Sequence, residues 1–149
     1  MIDKFNLYKL AVQALNNNDK NAIVSIIKDV DIDVVDSSGE TLLWKAVQRK
    51  AIDIVNIFLD AGANVNIPDK DGWTPLHIAV QNQDRNIVDL LLRYNPTINA
   101  QNKYGNSPLW VAVFYAKGKR DIINLLLDSG ADPYLENHSG INAIQLAQT

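Results

Sequence analysis

The feature that most constrains this chain is a spacing. Gly39, Gly72 and Gly105 stand 33 residues apart, each inside the same pattern of turn and apolar run. DSSGETLLWKAVQRKAIDIVNIFLDAGANVNIP from Asp36 aligns with DKDGWTPLHIAVQNQDRNIVDLLLRYNPTINA from Asp69 and with NKYGNSPLWVAVFYAKGKRDIINLLLDSGADPYLE from Asn102. Gly140 follows Gly105 after 35 residues, so the third unit carries an insertion of two. A unit of this length cannot bury its apolar face alone and must stack on its neighbours, which makes the expected architecture a solenoid.

Each unit reads as a helix pair. In the second, Leu76, Ala79 and Val80 share one stripe at helical spacing, and Ile87, Val88, Leu90, Leu91 and Leu92 form a wider one. Thr74 is placed to cap the first helix, with Pro75 at its first position. Ala46, Ala79 and Ala112 are small where helices of adjoining units must approach. Gly62 and Gly130 fall just past the second helices, where a left-handed residue ends a helix, and Asn95 takes that place in the second unit. The expected division is a capping unit over 1–35, full repeats over 36–68, 69–101 and 102–136, and a partial repeat over 137–149, all within one all-α domain. The cap is read from Leu7, Leu10, Ala11, Ala14 and Leu15, followed after NNNDKN by Ile23, Ile26 and Ile27. The last unit stops after one helix, where a full cap has two.

The stretch DGWTPLHIAV, Asp71 to Val80, resembles the ankyrin family, and it recurs with drift as ETLLWKAV, NSPLWVAV and INAIQLA. The resemblance implies a non-catalytic module that binds a protein on a concave surface of turn tips and first helices, with no cofactor or metal. Carried over unit by unit, the family's contact positions are Ser38, Glu40, Lys45, Gln48 and Arg49 in the first full repeat, and Asp71, Trp73, Ile78, Gln81 and Asn82 in the second. The third gives Tyr104, Asn106, Val111, Phe114 and Tyr115, and the partial fourth gives Ser139, Ile141 and Leu146. This face runs from polar residues to an aromatic stretch, where binding is expected to centre because Trp and Tyr anchor protein interfaces.

Other residues read as architecture. Trp44 and Trp110 occupy the motif's histidine position and are expected to pack against the next unit, while His77 is expected to be a hydrogen-bonding strut. The inserted residues fall in AKGKR, whose Lys117, Lys119 and Arg120 form a small basic connector away from the tips. The turn carboxylates, Asp69 and Asp132 among them, are placed to cap or to stay solvated, and no pair is set for acid–base work.

Composition narrows the chemistry. The chain has no cysteine and only His77 and His138 as imidazoles, which removes thiolate nucleophiles and Cys-ligated zinc. A net charge of −3 disfavours nucleic acid and, taken alone, favours a basic partner such as a toxin or enzyme. MIDKFNLYKL lacks the apolar core of a signal peptide, and no run is long enough to cross a bilayer, so the expectation is a cytoplasmic protein that is monomeric when free. In size and organisation the chain is similar to bacterial immunity-type ankyrin proteins, an inhibitor or antitoxin reading. A scaffold or adaptor, part of a longer ankyrin protein, is the alternative.

Overall fold

The computed structural model describes residues 4–149; the start of the capping unit, Met1 to Asp3, lies outside the described residues. Among these residues the chain forms helices and turns with no strand. The helices alternate between two layers. The inner layer is α1 (Lys4–Asn16), α3 (Leu42–Gln48), α5 (Pro75–Gln81), α7 (Pro108–Tyr115) and α9 (Ala143–Leu146). The outer layer is α2 (Lys20–Ile26), α4 (Ile52–Asp60), α6 (Arg85–Leu92) and α8 (Asp121–Asp128). Each inner helix packs on its predecessor, each outer helix does the same, and each unit closes by pairing its two helices.

The helices are short, seven to nine residues outside α1 and α9, and five of those seven begin at a side-chain cap. Thr41, Thr74 and Ser107 cap α3, α5 and α7 by accepting from the backbone N–H of Trp44, His77 and Trp110. Pro75 follows its cap as expected, and Pro108 stands at the same place after Ser107. Asp19 and Asp84 cap α2 and α6, whereas Ala51 and Arg120 precede α4 and α8 without a side-chain cap.

The core lies between the layers. Leu43, Val47, Ile54, Val55 and Phe58 of one unit are followed by Leu76, Val80, Ile87, Val88 and Leu91 of the next, all buried. Ala46, Ala79 and Ala112 are at most 1% exposed, which lets successive inner helices close on one another. Gly62, Gly130 and Asn95 have φ of 90°, 92° and 49°, the left-handed residues expected beyond the outer helices. At the far end Leu127 and Ile144 are exposed beside a groove between α8 and α9, the side on which an outer helix would continue the stack.

Candidate functional site

The turn tips are built by one device used four times. Asp36, Asp69, Asn102 and Asn137 each stand three residues before the turn glycine, and one side-chain oxygen accepts two backbone N–H groups. In the second unit Asp69 Oδ1 accepts from Asp71 and Trp73, both at 2.9 Å. In the third Asn102 Oδ1 accepts from Tyr104 at 2.9 Å and Asn106 at 3.1 Å. Successive tips are joined by single backbone bonds: Lys70 N to Ser38 O at 3.0 Å, Lys103 N to Asp71 O at 2.8 Å, and His138 N to Tyr104 O at 3.0 Å. A glycine is required at the joint. Gly72 has φ of 80°, and a Cβ there would stand 2.9 Å from the Asn102 Cα.

A second ladder crosses the units in the exposed loops that follow the outer helices. Asp33 accepts from Asn64 N at 2.8 Å, Asn66 from Thr97 N at 2.7 Å, and Asn99 from Asp132 N at 2.9 Å. These acceptors are also spaced by 33 residues, so Asp33 ties the diverged first unit to the stack in the same way as later units are tied.

The inner helices carry a third set of links. Trp44 Nε1 donates to Trp73 O at 2.9 Å, and His77 Nε2 donates to Asn106 O at 3.0 Å. Thr74 N donates to His77 Nδ1 at 3.2 Å, so the imidazole is neutral with its proton on Nε2. Burial pushes its pKa down to about 4, against a smaller upward pull from the bond to Asn106. The third unit breaks the series. Trp110 lies parallel to Phe114, with ring centroids 5.5 Å apart, and its buried Nε1–H has no hydrogen-bond partner.

These links separate the sequence-derived contact residues into groups. Ile78 and Val111 are 6% and 1% exposed and belong to the core: the alanine-mediated close approach of the inner helices covers a branched side chain between them. Glu40 and Lys45 face each other. Lys45 Nζ lies 2.5 Å from Glu40 and 2.7 Å from Asp36, beside the buried Tyr8 hydroxyl. Burial opposes the charge on Lys45, but its two carboxylate partners outweigh that and raise its pKa. Burial likewise opposes ionisation of Asp36, and the hydrogen bonds from Lys45 and from the N–H groups of Glu40 and Ser38 leave its pKa lowered. Asn82 donates to the carbonyls of Val47 and Gln48 at the end of α3, and Arg49 bonds Asn16. Asn106 is taken up by His77 through its carbonyl and by Asn137 through its side chain. Asp71 pairs with Lys103 at 3.0 Å.

What stays open to solvent is smaller and more aromatic. Tyr104 is 53% exposed at the third tip with Lys103 Nζ 5.0 Å from its ring centroid, and Phe114 is 59% exposed on α7. Phe114 meets Tyr115 edge-on at 5.1 Å, and Gln81 of α5 donates to the Tyr115 hydroxyl at 3.1 Å. Trp73 is half buried, edge-on to His77 at 5.7 Å, so it supports the core as much as it faces outward. Ser38, Gln48, Ser139 and Ile141 are exposed, while Leu146 is half buried. Trp110 enters the face as the platform under Phe114. Their separation of four residues on a helix was the sequence signal for that contact.

Comparison with known proteins agrees with this geometry. The family model described as ankyrin repeats (3 copies) matches residues 10–102 and 70–137. The chain belongs to the ankyrin-repeat family. Among curated proteins, "Ankyrin repeat and MYND domain-containing protein 1" of Mus musculus is 39% identical over 65 residues, covering 42% of this chain; the match spans only 7% of that protein's length. Ankyrin repeats are generally protein–protein interaction modules. In this ankyrin chain no group of three or more His, Asp or Glu among the described residues could hold a metal ion, and no described helix is long and apolar enough to cross a membrane.

Proposed function

We propose that this ankyrin protein is a non-catalytic binding module whose partner docks on the inner face of the third unit, around Phe114, Tyr115 and Tyr104. One observation carries the reading: Phe114 stands 59% exposed on an inner helix although it is held in place from beneath by Trp110 and from the side by Tyr115. A large aromatic held rigid and left in water gains free energy when a partner covers it, and it loses little entropy in binding. Gln81, Gln48 and Ser38 extend the face as polar contacts. Glu40, Lys45, Asn82 and Asn106 contribute through the shape they hold.

Within that class, our reading is an inhibitor or immunity-type protein that occupies a toxin or enzyme; a scaffold or adaptor is the alternative. The distinction is one of output. An inhibitor abolishes its partner's activity at stoichiometric amounts, whereas a scaffold leaves that activity intact. The test of the face is recovery of a partner by cross-linking in the source cells with the wild-type chain and with Phe114→Ala/Tyr115→Ala. A partner retained by the first and lost by the second, at unchanged thermal midpoint, supports the reading; a partner held equally by both refutes it.

A further inference from the structure

The aromatic face of α7 runs directly into a basic connector. The four connectors from inner to outer helices, residues 17–19, 49–51, 82–84 and 116–120, hold five Lys and Arg against two Asp, in a chain with 14 basic and 17 acidic residues in all. The other acidic residues are spread over the tips, the outer helices and the loops between units. The connector of the third unit is the most basic of the four. It follows directly on Phe114 and Tyr115, is two residues longer than its counterparts, and turns through left-handed residues at Lys117 and Gly118, with φ of 44° and 82°.

Lys117, Lys119 and Arg120 are exposed there, and none forms a salt bridge. Arg120 even occupies the N-cap of α8, without a cap bond, where α2 and α6 have Asp19 and Asp84. A cation at a helix N-terminus opposes the helix dipole. Asp121, in the first turn of α8, is the carboxylate nearest to this connector in sequence.

We propose that the partner presents an acidic protein segment bearing an aromatic or aliphatic anchor. The anchor packs on Phe114 and Tyr115, and carboxylates on the same segment meet Lys117, Lys119 and Arg120. This rests on the reading that the α7 face is the binding surface, and it replaces the basic partner that net charge alone favours. Three cations beside two aromatic rings fit carboxylates spaced along a peptide. Nucleic acid would call for a longer basic track, and the chain as a whole carries a net charge of −3.

The test begins with a random 12-residue peptide display library selected on the full chain, with enriched peptides then synthesised with a fluorescent label. Affinities are measured for wild type, Lys117→Glu/Lys119→Glu and Phe114→Ala. Expected are net-acidic peptides containing an aromatic residue or Leu, whose affinity falls about tenfold or more in the charge-reversed variant and weakens with salt. Phe114→Ala weakens the same peptides.

Neutral or basic binders lost in Phe114→Ala but indifferent to charge reversal would overturn the acidic partner while leaving the face standing. Binders insensitive to both variants, or no enrichment at all, would overturn the acidic partner and count against the face as well. Tighter binding of a 20-nucleotide DNA or of phosphatidylserine vesicles through Lys117 and Lys119 would also overturn it.

Discussion

His77 is neutral and fully buried, so acid should loosen this ankyrin stack in a window set by one imidazole. Its pKa falls from 6.5 to about 4 because the charged form would be desolvated between the second and third units. A base whose folded pKa lies below its unfolded value stabilises the fold above the unfolded pKa. That contribution is lost as pH falls from 6.5 through 4. Between pH 7 and pH 4.5 the expected loss is about 2 kcal/mol, from a shift of roughly two and a half units at 1.36 kcal/mol each, not yet complete at pH 4.5. Asp36 is held below its ordinary 3.8, so the stability it adds is largely intact at pH 4.5 and is lost only at more acid pH. Urea unfolding of wild type and His77→Leu at both pH values reads the effect. The variant is less stable at pH 7, because the Asn106 carbonyl loses its donor, but its stability changes less with pH. Equal losses in both proteins, or a His77 imidazole titrating near 6.5 by NMR, would refute the reasoning.

Three further outcomes follow from contacts within and between the units. Trp44→Phe should cost about 1–2 kcal/mol more than Trp110→Phe in thermal unfolding, since the first loses a bond to the Trp73 carbonyl and the second removes an indole N–H that has no partner. Gly72→Ala should lower stability by about 1–3 kcal/mol, because a left-handed φ and a 2.9 Å clash with Asn102 act together; Gly62→Ala, with open space around it, should cost less. Lys45→Met should destabilise by about 1–3 kcal/mol by leaving Asp36 and Glu40 facing each other, and the loss should shrink at a pH low enough to protonate them, measured by denaturant midpoints.

The fold was legible because its determinants are local and repeat. Capping Thr and Ser, Pro after the cap, Gly past the outer helix and alanine at the helix crossing each act over a few residues, and a period of 33 aligns them. The site was legible only in part, because exposure is decided between units. Ile78 and Val111 occupy positions that a repeat pattern marks as outward, yet the approach of neighbouring helices buries them. Glu40 and Lys45 look like free charges in sequence, but five residues of turn and helix bring them to 2.5 Å. Trp73 looks like a pure contact residue, yet it packs on His77, so Trp73→Ala should cost stability as well as binding. Phe114 was visible as an aromatic on the inner helix, while the Trp110 platform beneath it is a product of helix geometry.

The central claim is that binding is centred on the inner aromatic face of the third unit. The direct measurement is the affinity of the recovered partner for Tyr104→Ala, Phe114→Ala and the outer-face variants Asn56→Ala and Arg93→Ala, with thermal midpoints taken on the same samples. Phe114→Ala should weaken binding about 30-fold, the equivalent of about 2 kcal/mol for a truncated aromatic anchor, and Tyr104→Ala by a smaller factor, both at midpoints within about 2 °C of wild type. The outer-face variants should bind as wild type does. Unchanged affinity in Phe114→Ala together with a clear loss in Asn56→Ala or Arg93→Ala would contradict the account.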